Sequence, residues 1–342
     1  MAFSGSRDYT DTYTAANVVE RALARLGTMD ASEGVVTVEQ TDAIVALNLI
    51  IKELFIESKG NWLLQDVCVF LTDPGDKTQY SVGPSGDYAA TAWYETELGA
   101  AASASDSTAT LLLTDDSTHV TDNSYIGIKL DSGDIFFTDI NDGAINASTA
   151  NEAVTLTTAF PSAAALGSRV YVYNTSSLPS RPHRIVYASR TTLDTENSSV
   201  ASSAVGGTES ELDIIGLSDY FSLSRKTQTG PPTGVYYEPT LVNGTVHVWP
   251  TGDTGVDYDK IYLTTTVYPD DVDATSNNLY FPPEWHNALV WALTWELSNE
   301  YALPLQERQW LKMIADEKIN RLLDYEYVGE TIRLVPSAKP ST

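Results

Sequence analysis

The apolar positions near the start of the chain repeat with helical spacing. Thr14 is placed to cap a first predicted helix and Gly27 to end it. The expected buried face of this helix consists of Val18, Val19, Ala22, Leu23 and Leu26. A second helix is predicted from the capping-box pair Thr37 and Gln40, and Gly60 follows its end. Its single apolar stripe consists of Ile44, Leu47, Ile51, Leu54 and Phe55. The pattern predicts a helical hairpin.

From Trp62 the spacing changes to that of short strands separated by turns. The clearest strand patterns are WLLQDVCVFL, RPHRIVYASRTTL, PTGVYYEP, GTVHVWP and DKIYLTTTVYP. Asn243-Gly244 is a strong signal for a two-residue hairpin turn between the third and fourth of them. Residues 96–173 differ in composition and contain the hairpin IGIKLDSGDIFFTDI and the strands AVTLTTAF and GSRVYVY. This block is interpreted as an inserted small β-barrel or sandwich.

Helical spacing returns near the end of the chain. Pro282 and Pro283 suit the first turn of a helix, and Pro304 separates that helix from a last one. The first of the two is apolar around much of its circumference, through Trp285, Leu289, Ala292, Leu293 and Leu297 with Val290, Trp291 and Trp295 beside them. The apolar stripe of the last helix consists of Trp310, Ile314, Ile319, Leu322 and Leu323, with Glu and Lys on the opposite face. A helix apolar on so many sides is expected to be enclosed by its own chain or by other subunits.

These patterns predict an α+β fold. Both chain ends would form one four-helix unit, from which a long antiparallel β excursion emerges and carries the inserted barrel or sandwich. The expected boundaries are 1–61 for the N-terminal helical hairpin, 62–95 with 174–281 for the β domain, 96–173 for the inserted β domain, 282–329 for the C-terminal helices and 330–342 for an extended arm.

Composition narrows the classes of function. The 342 residues include 20 basic and 46 acidic side chains, a formal net charge of −26. A nucleic-acid-binding surface normally carries clustered basic residues, so this excess of acidic residues is unfavourable for binding phosphate. Cys68 is the one cysteine, which excludes an internal disulfide and a zinc site built on several cysteines. The start has no apolar leader pattern and no run is long enough for a membrane span, so a protein made in a reducing cytosol is expected.

Candidate catalytic and metal-binding patterns are weak. The histidines lie on separate predicted elements, without metal-ligand spacing, at His119, His183, His247 and His286. The sequence has no serine-hydrolase elbow, phosphate-binding loop or dinucleotide fingerprint. The acidic turns at 131–134 and 251–259 lack a full calcium ligand series, so calcium there is the lesser alternative, and the pairs Asp115/Asp116 and Asp270/Asp271 are interpreted as turn residues. The prediction is a protein that is not an enzyme and has no cofactor, catalytic residue or metal.

Several motifs resemble one family of virion proteins. The first helix ends in Leu-Gly, the second carries NLIIKE, and WLLQDV leads into the strands. GPPTGVYYEP, GTVHVWP and FPPEWHNALVWAL follow later, and the last helix ends in DYE. Over about residues 13–95 and 175–330, the chain resembles the head-to-tail adaptors of short-tailed bacteriophages, of the tail tubular protein A type. The inserted block at 96–173 departs from the smaller members of this family.

The resemblance implies a structural virion protein in the neck of the particle, assembled in the host cytoplasm. It implies a homo-oligomeric ring, with twelve copies expected, between the portal protein and the tail nozzle. Such a ring completes the head, retains packaged DNA and forms part of the ejection channel, through which DNA passes without specific binding. The inserted domain would face outwards and contact tail fibres or the capsid. No membrane partner is expected.

The same resemblance implies site residues. The ring or bundle interface would contain Leu47, Ile51, Leu54, Trp285, Leu289, Trp291, Trp295, Trp310 and Ile314. The tail from Thr331 to Thr342 matches the arm that reaches the portal in this family. Its expected contacts are Ile332, Leu334, Val335 and Pro336.

Two other classes remain open at this stage. A tail-tube or nozzle subunit would have more β-structure and less helical ends. A carbohydrate-binding tailspike or adhesin would use aromatic strand residues for stacking on sugars; the candidates are Tyr236, Tyr237, Trp249, Tyr262 and Tyr268. Core or subunit-interface packing is the more common role of alternating aromatic residues. The sequence also shows neither a repetitive β-helix pattern nor a paired set of catalytic carboxylates.

Overall fold

The chain folds into two compact units, each with helices or sheets of its own. A computed structural model describes residues 13–27, 37–57, 62–72, 76–113, 120–143, 145, 151–191, 209–252, 260–279 and 281–326. One unit comprises Met1–Leu63 together with Tyr268–Thr342, and the other comprises Leu64–Val267. The structure confirms the predicted α+β class, because helices and several antiparallel sheets are both present.

Five helices occur within the described residues. They are α1 (Ala15–Leu26), α2 (Thr37–Glu57), α3 (Leu217–Ser222), α4 (His286–Glu300) and α5 (Leu305–Glu326). Gly27 ends α1 with φ of 70°, a left-handed conformation that glycine adopts without steric cost. A short 3-10 turn, Pro283–Trp285, precedes α4, as the two prolines predict. The short helix α3 was not anticipated from the sequence.

Helices α1, α2 and α4 form one hydrophobic core, and partly buried side chains of α5 pack against it. Trp285 is fully buried at its centre, and its ring lies 5.2 Å from that of Trp62 and 6.0 Å from that of Phe281. The predicted faces of α1 and α4 are buried here, and α2 contributes Leu47, Ile50, Ile51 and Leu54. Helix α5 borders the core through Ile319, Leu322 and Leu323.

The predicted stripe of α5 is not buried within the chain at its first position. Trp310 is exposed, whereas the adjacent Leu311 and Ala315 are buried. One residue turns the direction of a helical side chain by about 100°. The large ring of Trp310 instead lies edge-on against Trp291 of α4, with ring centroids 6.3 Å apart.

The second unit contains four sheets. Its strands, in chain order, are β1 (Leu64–Phe70), β2 (Gln79–Val82), β3 (Ala89–Ala90), β4 (Tyr94–Glu97), β5 (Thr108–Leu112), β6 (Tyr125–Lys129), β7 (Ile135–Asp139), β8 (Asn151–Thr155), β9 (Arg169–Tyr173), β10 (Pro182–Thr191), β11 (Glu209–Glu211), β12 (Asp213–Ile214), β13 (Gly234–Pro239), β14 (Gly244–Trp249) and β15 (Lys260–Val267). Every strand predicted above corresponds to one of these elements.

Two of the sheets are built from strands far apart in sequence. The larger has the order β11-β10-β15-β1-β3, with β1 and β15 antiparallel from Leu64 opposite Thr266 to Phe70 opposite Lys260. The other has the order β12-β13-β14-β2. Their apolar faces share a core that includes Val69, Val235 and Leu263.

The strands β4 to β9 form the other two sheets, with the orders β4-β9-β6-β7 and β5-β8. They enclose a core of their own, in which Leu111, Ile126 and Val154 are fully buried. The first strand of this block begins at Tyr94. A cluster of aromatic residues joins the block to the five-stranded sheet, where Phe70 of β1 packs on Tyr171 and Tyr173 of β9.

The hairpin between β13 and β14 is confirmed, but the predicted two-residue turn is wrong. Pro239 pairs with Gly244, so residues 240–243 form a four-residue loop. The Thr240 amide donates to the Asn243 carbonyl at 3.2 Å. Gly244 lies within β14. The ring of Tyr237 fills the space that a Cβ atom on residue 244 would need. The glycine therefore serves packing rather than the turn.

Candidate assembly surface

The predicted interface residues divide into a buried set and a surface set. Five lie in the core of their own helical unit, namely Leu47, Ile51, Leu54, Trp285 and Leu289. Trp291, Trp295 and Ile314 are half-buried, and Trp310 is exposed. Of the predicted interface residues, only Trp291, Trp295, Ile314 and Trp310 therefore reach the surface of the helical unit.

Helix α2 carries a second apolar stripe that lies exposed among the described residues of its unit. Val45, Leu49 and Ile56 are each more than half exposed. Their spacing of four and seven residues places them on one face of the helix. Helix α2 is thus apolar on two sides, with one side in the core and the other at the surface. The repeat of apolar residues at 45, 49 and 56 was the sequence signal for this stripe.

A second exposed apolar stripe lies on α5. Leu305, Trp310 and Met313 are each more than half exposed. Beside Trp310, the guanidinium carbon of Arg25 lies 4.1 Å from the centroid of the Trp291 ring. Such a cation–π contact holds the ring in place while one edge stays at the surface.

A groove of about 560 Å³ lies between α2, α4 and α5. Apolar side chains line it and include Leu49, Leu54, Trp295 and Ile319. Glu53, Glu296 and Asp316 line it as well, with Lys312 the basic residue among them. The Lys312 ammonium lies 5.4 Å from the Trp295 ring centroid. The lining of the groove combines apolar side chains with mostly acidic charged ones, which suits a partner segment that is apolar and basic.

The expected portal-binding residues Ile332, Leu334, Val335 and Pro336 lie outside the described residues. The same holds for His119, the pair Asp115/Asp116 and most of the acidic turn at 251–259.

The other candidate ligand residues have structural contacts. The His247 ring lies between Tyr220 and Tyr236, with Nδ1 3.1 Å from the Tyr220 hydroxyl and Nε2 3.3 Å from a Glu238 oxygen. His286 stacks on Tyr13 with ring centroids 4.5 Å apart. In the part of the chain that the structure describes, no group of three or more His, Cys, Asp or Glu could hold a metal ion.

The acidic turns within the described residues use their carboxylates locally. Asp131 accepts a hydrogen bond from the Ala165 amide at 2.9 Å, and Asp134 accepts one from the Ile135 amide at 2.7 Å. Asp271 pairs with Lys52 at 2.8 Å. These contacts are typical of turn and surface residues.

Cys68 is enclosed by the aromatic cluster that joins β1 to β9. Burial is the main cause that raises the pKa of its thiol from 9.0 to about 12. The thiol is therefore protonated at neutral pH and is a packing group rather than a nucleophile.

Comparison with known proteins adds no assignment, because no protein-family model matches this sequence and no curated protein is significantly similar to it. Within the described ranges, none of the helices is long and apolar enough to cross a membrane.

Proposed function

We propose that this protein is the head-to-tail adaptor of a short-tailed bacteriophage. In this proposal, copies of the chain form a ring, with twelve expected, that joins the portal protein to the tail nozzle. The ring completes the head, retains packaged DNA and forms part of the ejection channel. The observation that supports this most is the pair of uncovered apolar stripes, on α2 and on α5, of a unit assembled from both chain ends.

Two different apolar stripes suit a closed ring. In a ring, each subunit contacts its neighbours through two unlike surfaces, whereas a two-fold dimer uses one surface twice. Stable interfaces between subunits also bury apolar side chains that are exposed in the isolated chain. The α2 stripe of one copy would face the α5 stripe or the groove of the next copy, and the four helices would act as one bundle.

The strong negative charge supports a channel function. The formal net charge of −26 gives a surface that repels the phosphate backbone at distances up to the screening length, about 8 Å at physiological salt. DNA would then pass through the ring without adhering to it. A channel lined by Lys and Arg would contradict this part of the proposal.

The remaining parts of the proposal concern partners. Residues 331–342 would form the arm that binds the portal protein, and they contain two basic and no acidic side chains. The block from β4 to β9 would contact tail fibres or the capsid.

Binding to the portal ring of the same virus tests the proposal. In co-sedimentation, the full chain should associate with the portal ring, and a chain ending at Glu326 should lose that association. The double variant Ile332→Asp/Leu334→Asp should bind as poorly as the truncated chain, whereas the matched double variant Ile214→Asp/Leu217→Asp, at exposed positions outside the arm, should bind normally. Equal binding by the full and truncated chains would contradict the role of the arm, and absence of binding by the full chain would contradict the adaptor function.

A further inference from the structure

The groove between α2, α4 and α5 contains acidic side chains whose charge is not neutralised by neighbouring residues. Its lining includes Glu53, Glu296 and Asp316, and Lys312 is the basic residue among them, which gives the lining a net charge of −2. Within the described part of the chain, none of the three carboxylates takes part in an ion pair or a side-chain hydrogen bond. Lys312 instead lies against the ring of Trp295, with 5.4 Å from its ammonium to the ring centroid.

Apolar surface is open in the same groove. Leu49 is 65% exposed, and Trp295 and Ile319 are half-buried. A groove that offers apolar side chains beside unpaired carboxylates favours a segment in which apolar and basic side chains are neighbours. The lining therefore indicates the chemistry of the segment that would fill it.

Residues 331–342 have this composition. They read TIRLVPSAKPST, in which apolar residues surround Arg333 and a second basic residue follows at Lys339. The segment has no Asp or Glu, although the whole chain contains 46 acidic and only 20 basic side chains. Its charge is therefore opposite in sign to that of the groove, and attraction between the two is expected.

The same segment starts close enough to the groove to enter it on its own subunit. Helix α5 ends at Glu326, and the part of α5 that lines the groove runs from Lys312 to Asn320. At 1.5 Å per residue, these two positions lie about 21 Å and 9 Å before the end of the helix. Residues 327–330 can reverse the chain direction, since a β-turn takes four residues. The twelve residues that follow can span about 40 Å, nearly twice the distance back to Lys312.

We propose that residues 331–342 occupy the groove of their own subunit in the free chain. Arg333 would pair with the carboxylates of the groove, and its apolar neighbours would cover Leu49 and Trp295. The contact itself does not depend on the adaptor function, but its consequence rests on that proposed function. An arm held in the groove cannot reach the portal, and it also covers a surface that the next copy would use. Portal binding would withdraw the arm and uncover the groove, so that ring assembly starts at the portal.

Trypsin cleavage after Arg333 tests this contact in the full chain. Trypsin must bind the Arg side chain, so cleavage requires the segment to leave the groove and its rate follows the released fraction. Intact-mass measurement records the loss of residues 334–342, and a peptide of residues 327–342 gives the rate for the unprotected segment. The full chain should be cleaved at Arg333 at least tenfold more slowly than the peptide. This protection should be the same at low and high chain concentration, because the contact lies within one subunit.

Two matched double variants identify the groove as the source of the protection. Glu296→Gln/Asp316→Asn removes two carboxylates of the groove and should speed the cleavage about tenfold, since each lost charge contact contributes a factor of a few. The control Glu300→Gln/Asp324→Asn removes the same charge from exposed positions on the same two helices, outside the groove, and should leave the rate unchanged. Circular dichroism checks that both are folded.

Leu49→Gln is the second groove variant and decides the test if the carboxylate variant does not fold; it should speed the cleavage as well, because Leu49 loses its apolar contact. The inference is overturned if Arg333 is cleaved as fast in the full chain as in the peptide, or if folded groove variants and the control are cleaved at the same rate. Protection that appears only at high concentration overturns it too, by assigning the groove to the segment of a second copy. None of these measurements involves the portal, so their failure is distinguishable from failure of the adaptor function.

Discussion

Lys260 and Glu95 form an ion pair whose removal tests how the β4–β9 block is held on the five-stranded sheet. The Lys260 ammonium lies 2.6 Å from Glu95 Oε2 and 4.7 Å from the centroid of the Tyr171 ring. Lys260 is 6% exposed, and the Glu95 side chain is 27% exposed. Arg169 is the other cation near this carboxylate, at 3.9 Å. The Lys260→Met variant would keep the apolar stem beside Tyr171 and remove the charge.

The magnitude follows from the burial of the pair. Breaking a buried ion pair by removing one partner costs about 3–5 kcal/mol, because the other charge stays buried and unpaired. Glu95 retains some solvent contact and Arg169, so we expect a loss of about 2–3 kcal/mol. For a unit of roughly 200 residues this lowers the melting temperature by about 4–12 °C. The double variant Lys260→Met/Glu95→Gln should return to within about 1 kcal/mol of the wild type.

Urea unfolding followed by circular dichroism measures these changes. The control is Lys52→Met, since Lys52 and Asp271 pair at 2.8 Å with side chains 47% and 53% exposed. That exposed pair should contribute less than about 1 kcal/mol. The reasoning is refuted if Lys260→Met is as stable as the wild type, or if the double variant is no more stable than Lys260→Met.

Three further predictions concern other positions. Leu49→Glu should leave the unfolding midpoint of the free chain unchanged but weaken ring assembly in light scattering, whereas Leu47→Glu in the core should unfold the chain; intact rings from Leu49→Glu would contradict the proposed interface. Cys68 should resist thiol reagents in the native state, and since burial raises its pKa from 9.0 to about 12, native stability should fall as pH rises above 9.0; a Cys68→Val variant should lack that part of the loss. Gly27→Ala should cost about 1 kcal/mol in urea unfolding and Gly27→Asn less, because Asn tolerates the left-handed conformation; equal stability of both variants with the wild type would contradict this.

The spacing of apolar residues, together with the turn residues, was enough to predict most helices and strands of the fold. The strands around Val69, Val235 and Leu263 alternate clearly enough to be recognised one by one. Their order in the sheets could not be predicted, because β1 and β15 are far apart in sequence and pair only through tertiary packing. Asn243-Gly244 predicted a two-residue turn that the structure does not have. Gly244 is instead required by its contact with Tyr237, and a tertiary contact of this kind cannot be recognised from the neighbouring residues alone.

The candidate surface was predicted less well than the fold. Apolar spacing identifies a helix face but does not say whether that face is covered by the same chain or by another one. Leu47 and Trp285 were expected at a ring or bundle interface and lie in the core of their own helices, whereas Leu49 was not among the expected residues and is exposed.

Ring formation is the central claim, and native mass spectrometry tests it most directly. The purified full chain, with a subunit mass of 37.2 kDa, would be measured alone and after mixing with the portal ring of the same virus. The account predicts a closed ring of many copies, bound to the portal, when the portal is present. A monomer or trimer whose mass does not change with the portal would contradict it.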